Sequence, residues 1–323
     1  MPERRSDAEA VDWASLEVYG PPEEVPVALT AIWSSDQSRR MLGYRYLGDR
    51  LVHQGSRYPA SAAAAPFLID VVADPAAPDR FAACQVLLLI ALGEEEFTLN
   101  VRPDFAHLRQ ETARRATMTV DELEAERAAW VAAATDPKVR AARALTALSA
   151  DVELDRLGER WNVEAYDAVR AGVPVYLAAL SADHPGTQIY AAQLLAYFPE
   201  DAASVIPGLL PLIGGEDPIV ASAAMVAAGI CARGTEDPHA AAALTARRER
   251  TENLAERWAA AIGLGQLLNN LSPEILTDIK AAMEAPAPVP HFPFLDGDIA
   301  AVAAYTLDRL EDRHTLPSGP WSA

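Results

Sequence analysis

The sequence predicts an all-α fold, an α-α superhelix of stacked antiparallel helical hairpins. Three observations lead there. Half the chain is hydrophobic but only 7% is aromatic, and the apolar residues are mostly Ala, Leu and Val; Ala and Leu are the best apolar helix formers. Pro follows a capping residue five times, at Asp74-Pro75, Asp136-Pro137, Asp217-Pro218, Asp237-Pro238 and Ser272-Pro273. An Ala-Ala pair recurs at 191–192, 223–224, 260–261 and 303–304, with successive spacings of 32, 37 and 43 residues, the period of a repeat array. Runs of alternating β-branched residues, the mark of strands, are few.

Each element has a local reason. Asp or Ser as N-cap accepts a bond from a free amide at a helix start. Pro at the next position lacks an N–H that had no partner anyway. Each pair therefore predicts a helix start. Small-residue helices follow: DPKVRAARALTAL (136–148), DHPGTQIYAAQLLAYF (183–198), DPIVASAAMVAAG (217–229), LAERWAAAIGLGQLL (254–268) and DIAAVAAYTLDRL (298–310), with PDRFAACQVLLLIAL (78–92) as an earlier example. A greasier helix precedes several of them, as in AAAAPFLIDVVA, AGVPVYLAALSA, ASVIPGLLPLIGG and EILTDIKAAMEA. The predicted organisation is one array over 1–323. Residues 1–20, with Trp13 and Leu16 among acids, form an N-terminal cap. Residues 21–96 are N-terminal repeats, 97–160 irregular central helices, and 161–314 C-terminal repeats with a loop insert at 285–297. In the central segment Thr119-x-x-Glu122 is a capping box that opens a charged helix, and Arg109, Arg114 and Arg115 precede it. At about 40 residues per unit the chain holds roughly seven or eight hairpins.

Asp136-Pro137-Lys138-Val139-Arg140-Ala141-Ala142 and Asp217-Pro218-Ile219-Val220 resemble the second-helix signature of HEAT and HEAT-like (phycobilisome-lyase-type) repeats, as in stand-alone bacterial α-solenoids. The Pro-containing first helices, Val173-Pro174-Val175-Tyr176-Leu177 and Ile206-Pro207-Gly208-Leu209-Leu210-Pro211, are similar to that family too. The likeness is good over 57–96 and 161–312, partial over 97–160 and weaker over 1–56. The usual Arg after Val is missing at Ala221, and the 183–192 copy carries an extra residue. The resemblance implies a stacked core shared between neighbouring hairpins, because no hairpin covers its own apolar face. HEAT-like DNA alkylpurine glycosylases carry a basic concave face; this chain resembles them in fold only, its −19 charge opposes duplex binding, and the text holds no residues that carry phycobilin-lyase chemistry.

Lys and Arg number 27 against 46 Asp and Glu, a formal charge of −19. A field of that sign repels phosphate backbones and anionic lipid, so no nucleic-acid or membrane partner is expected. The N-terminus has no apolar signal region, and the longest apolar run, VLLLIAL, is far short of the ~20 residues of a spanning helix. The expected location is cytoplasmic. Cys84 and Cys231 stand in apolar helical text and read as buried small residues.

The catalytic inventory is thin. No His-Glu-x-x-His, Cys-x-x-Cys, phosphate loop or nucleophile elbow is present in the sequence, so no metal, no cofactor and no enzyme activity are expected. Glu94-Glu95-Glu96 reads as a solvated charge run at a helix end. Asp36 near Trp33, and Glu159 near Trp161, are acid–aromatic pairs of a kind that chance alone supplies.

Two stretches are candidate binding sites. The first is His53-Gln54-Gly55-Ser56-Arg57-Tyr58. Gly55 suits the left-handed position just past a helix, and Pro59 suits the start of the next, so the stretch is an elbow. An elbow does not need His53, Gln54, Arg57 and Tyr58. They either lock it, with Tyr58 covering the helix end and Arg57 or His53 on last-turn carbonyls, or face a partner at the groove rim. The second is Ala285–Gly297, where four prolines interleave with His291, Phe292 and Phe294. Helices cannot continue there, and the aromatics either pack back or await a partner. The expected function is a non-enzymatic protein–protein interaction scaffold or adaptor. It holds a neutral or basic protein on its concave second-helix face, in one version as an acidic neutralising, immunity-like partner. The alternative is a HEAT-like enzyme or small-molecule binder with a site near His53, Arg57 and Tyr58.

Overall fold

The computed structural model describes residues 8, 10–95, 98–99, 104–149 and 151–311. The first hairpin pairs α1 (Glu24–Ala31) with α2 (Gln37–Leu51). A two-stranded antiparallel ribbon, β1 (Val52–His53) and β2 (Ser56–Arg57), leads to the second hairpin, α3 (Pro59–Ala73) and α4 (Arg80–Leu92). The chain then leaves the stack through α5 (Phe105–Arg115), α6 (Val120–Ala132), α7 (Pro137–Ser149) and α8 (Val152–Arg170). It returns in four hairpins: α9 (Val173–Ala179) with α10 (Pro185–Leu195), α11 (Ala202–Ile213) with α12 (Pro218–Cys231), α13 (Pro238–Arg250) with α14 (Leu254–Leu267), and α15 (Pro273–Met283) with α16 (Ile299–Leu310). The fold is all-α, as the sequence predicts.

The second helices form an inner layer in the order α2, α4, α10, α12, α14, α16, each packed on the next. Thus α10 docks directly on α4, and the intervening excursion sits outside this row. Its last helix, α8, lies across α3 and α4, and it runs through the sequence-based boundary at 160/161 without a break. Capping chemistry starts most inner helices. The Asp217 carboxylate accepts from the Ile219 and Val220 amides at 2.9 and 3.0 Å; outside the inner row, Asp136 and Asp237 act alike at the starts of α7 and α13. Asp74-Pro75 departs from the prediction. Asp74 closes α3, its carboxylate accepts from the Ala76 amide, and α4 starts only at Arg80. The same Asx geometry serves a turn as well as a helix start.

The inner layer is held by close backbone approach. Between α12 and α14, a Cβ at Gly229 would lie 2.3 Å from the Gly263 carbonyl oxygen, and one at Gly263 2.5 Å from that of Met225. The flanking Ala223, Ala224, Ala227, Ala259 and Ala260 are fully buried. Small residues thus let two helices meet almost backbone to backbone. Every residue from Val220 to Arg233 is buried, so α12 is covered on all sides, as a helix apolar all round must be. Cys84 and Cys231 are both buried and form no disulfide.

Gly229→Ala should cost about 3 kcal/mol, at the upper end for overpacking. Gly158, in α8, has no heavy atom within 4 Å of where a Cβ would stand, so Gly158→Ala should stabilise by about 0.5–1 kcal/mol. Denaturant melts of the two variants, compared with the parent, check both signs.

Candidate functional site

The elbow is a β-ribbon rather than a helix cap. Val52 pairs with Arg57 and His53 with Ser56. Gln54 and Gly55 form the two-residue loop with φ of 49° and 76°, the double positive φ of a type I′ turn. The ribbon joins three elements. Ser61 in α3 donates its hydroxyl to the Leu51 carbonyl at the end of α2 (2.5 Å) and accepts from the Tyr58 amide (2.8 Å). Arg57 reaches the Leu92 carbonyl at the end of α4 (3.0 Å) and the Gly55 carbonyl in its own turn. Burial pulls the Arg57 guanidinium down to about 10. His53 stacks face to face on Tyr19, ring centroids 3.5 Å apart. The expected bond from Arg57 to a last-turn carbonyl therefore exists, but on α4 instead of α2. His53 bonds no helix end; it ties the N-terminal segment to the ribbon. Gln54 is exposed at the turn.

Tyr58 points elsewhere, towards α8, where its ring lies 6.3 Å from that of Trp161. Here the ribbon, α8 and the α6–α7 hairpin enclose a cavity of about 390 Å³. Tyr58, Trp130, Trp161, Leu154 and Gly158 supply its apolar walls, and Arg57, Asn162, Asp155 and Glu159 its polar ones. The two carboxylates are already paired, Glu159 with Arg115 at 2.5 Å and Asp155 with Arg127 at 2.9 Å. Burial nonetheless pushes both carboxyls above their usual range. Among the described residues, Nε1 of Trp130, Nε1 of Trp161, Nε of Arg57 and Oδ1 of Asn162, shielded from solvent on residues that line it, have no hydrogen-bond partner. A larger hollow, about 740 Å³, lies between the α3–α4 and α9–α10 turns beside Phe81 and His184; none of its lining residues carries such an atom.

The proline-rich loop folds back. Its first half, through His291, is largely exposed, whereas Phe292 and Phe294 are 2% and 0% exposed. The tether is Glu95, just beyond α4. Its carboxylate accepts from Tyr197 Oη (2.7 Å), Gln193 Nε2 (2.8 Å) and the Leu295 amide (3.0 Å). Gln193 Nε2 also donates to the Pro293 carbonyl. Glu95 is therefore no solvated end-of-helix charge. Desolvation raises its pKa although three donors face it. Glu96 lies outside the described residues.

The excursion is held by arginines more than by a core. Its own apolar cluster has only Leu123 and Val152 buried, with Met118 and Trp130 packed on them. The basic stretch is consumed internally. Arg109 forks onto Asp167 and Glu200, and Arg115, 1% exposed, bridges Glu126 and Glu159. On α7 large apolar side chains are left uncovered: Leu145 is 69% and Leu148 85% exposed, one turn apart, and Val139, on another side of the helix, 40%; Leu154, at the start of α8, is 58% exposed.

The structure thus divides the sequence candidates. Arg57 and Tyr58 meet at the cavity, His53 and Gln54 do not line it, and His291, Phe292 and Phe294 belong to a distant loop. The Glu159–Trp161 pair does line the cavity, while Asp36 caps α2. Sequence reading missed Trp130, Asn162 and Gly158; only the uncapped glycine in the middle of a helical run signalled it. Among the described residues no cluster of metal-binding side chains occurs and no helix is long and apolar enough to cross a membrane. In comparison with known proteins, no family model matches the chain and no curated protein matches it.

Glu95 sets a pH test. Its folded pKa is raised above the unfolded value, so its contribution is fully present below the ordinary carboxylate range and is lost as pH rises through the shifted value. Glu95→Gln abolishes that titration at the cost of one acceptor. The melting-temperature deficit of the variant should shrink between about pH 4 and pH 7; a deficit that grows contradicts the assignment.

Proposed function

We propose that this chain is a non-enzymatic protein-binding scaffold of the HEAT-like kind, whose partner is a neutral or basic protein docked on α7 and the start of α8. The observation that carries the reading is the exposure of Leu145 and Leu148, 69% and 85%, one turn apart on α7, with Leu154 58% exposed at the start of α8. Neighbouring exposed apolar side chains mark an interaction surface more often than singly scattered ones do. The row of second helices offers less: the residues from Val220 to Arg233 are all buried, and the 292–295 segment reaches back to α10.

Charge supports the nature of the partner. Most arginines are spent on internal pairs or carbonyls, among them Arg40, Arg80, Arg247 and Arg248. The surplus of carboxylates behind the −19 charge remains at the surface, including Asp121, Glu124 and Asp151 on the helices beside α7. Such a surface steers a cationic protein and repels an anionic one.

The test is capture from the native cell by the parent and by the Leu145→Asp/Leu148→Asp double variant. Both side chains are exposed, so the variant should melt within about 0.5 kcal/mol of the parent. The expected result is a basic or neutral protein held by the parent, released by salt, and lost from the variant. Identical capture by both overturns the reading. Sedimentation of the two proteins alone identifies the further case, self-association lost in the variant, which would make the partner a second copy and contradict the proposal.

A further inference from the structure

We propose that the α6–α7 hairpin is a hinged flap that closes, as one body, into the cavity between itself, α8 and the β1–β2 ribbon. This goes beyond the docking of a protein on α7, and no partner is needed to test it.

The hairpin is attached almost without burial. Among the described residues from 120 to 148 only Leu123, Arg127 and Ala134 are buried, and every residue from Thr135 to Ala142 is exposed. None of these residues belongs to the core of the stack, whereas both flanking helices reach it, α5 through Phe105 and α8 through Ala165, Tyr166 and Val169. Arg109 fastens α5 further, on Asp167 and Glu200. The excursion therefore has a fixed base, α5 and α8, and a hairpin that the base alone carries. Parts with so little buried apolar contact move at low free energy.

The hold on α8 runs along the first turns and then stops. Leu123 and Val152 share one small apolar cluster, and Arg127 binds Asp155 at 2.9 Å. Trp130, next along that face of α6, opens on the cavity together with Gly158 of α8. Positions 123, 127 and 130 thus run beside 152, 155 and 158, two joined and the third parted by space, which is a hinge at one end and a gap at the other. A Cβ at Gly158 would meet nothing within 4 Å, so α8 presents no side chain there to stop the flap, and the cavity of about 390 Å³ gives it room. Bonds inside the hairpin keep its helices together: Arg127 also donates to the Ala147 carbonyl (3.0 Å), and Arg143 to the Trp130 carbonyl (2.7 Å). Since Leu145 and Leu148 ride on the flap and Leu154 on the base, closure changes the spacing of the exposed leucines.

The test measures distances between spin labels on the full-length chain. Cys84 and Cys231 are buried, so cysteines introduced at exposed positions label selectively. Thr135→Cys at the flap tip with Asp49→Cys on α2 reports the flap. Ala106→Cys on α5 with Asp49→Cys is the fixed control, and Ala125→Cys with Ala142→Cys reports the hairpin itself; all five positions are exposed. The expected result is two distances for the flap pair, the second several ångströms shorter, against one for each of the other pairs. Gly158→Leu, which puts a side chain into the gap, should abolish the shorter distance. Asp155→Ala, which cuts the bond holding Arg127 to α8, should raise its share with helix content unchanged. A single flap-pair distance in the parent, persistence of the shorter one in Gly158→Leu, or a second distance for the hairpin pair, which means local unfolding and not hinge motion, would each overturn the proposal.

Discussion

The rest of the structure depends on the approach of α12 to α14 through Gly229 and Gly263. A Cβ on either would sit within 2.5 Å of a carbonyl oxygen across the interface, so the two helices meet at backbone distance. Helices brought this close gain dispersion contacts along their whole length, and the alanines around the crossing lose almost no side-chain entropy on burial. A layer built this way does not need large side chains, which explains how a chain with 7% aromatic residues holds a continuous core. At α4 and α10 the core is extended by Phe292 and Phe294, both buried and brought back by a loop fastened to Glu95 and Gln193.

Among the described residues the two most exposed large apolar side chains, Leu148 at 85% and Leu145 at 69%, lie on the excursion from α5 to α8. The contrast in construction is physical. The stack is held by burial; α8 shares that core through Ala165, Tyr166 and Val169, but the apolar cluster separate from it has only Leu123 and Val152 buried, and the excursion adds arginines that fork between carboxylates and helix ends. Ion pairs of this kind cost desolvation that their attraction only partly returns. Segments with little buried apolar contact open at low free energy, and binding surfaces are commonly drawn from such segments. The ribbon from Val52 to Arg57 connects the two constructions, since Arg57 fastens it to α4 while Tyr58 turns its ring into the cavity beside α8.

The sequence disclosed what local chemistry determines. Asp136-Pro137, Asp217-Pro218 and Asp237-Pro238 start helices because an N-cap acts only on its own first turn. Thr119 and Glu122 make their reciprocal cap for the same reason. Asp74-Pro75 misled because the identical carboxylate-to-amide bond also closes a helix. Gly55 was legible as a bend, but the ribbon was not, since Gln54 in a left-handed conformation departs from the Asn or Asp usual there. Glu95 read as a solvated charge because its partners, Tyr197 and Leu295, are 102 and 200 residues away. The cavity was half visible: Glu159 and Trp161 are sequence neighbours, whereas Trp130 joins them only once α6 folds against α8.

Native-state hydrogen exchange read by mass spectrometry tests the central claim, that the returning loop is part of the core of the stack and the excursion opens separately. The account predicts that the amides of Phe292, Phe294 and Leu295 exchange as slowly as those of α12, and that α6 and α7 exchange much faster than either. Rapid exchange at 292–295 beside a protected α12, or protection of α7 equal to that of α12, would contradict it.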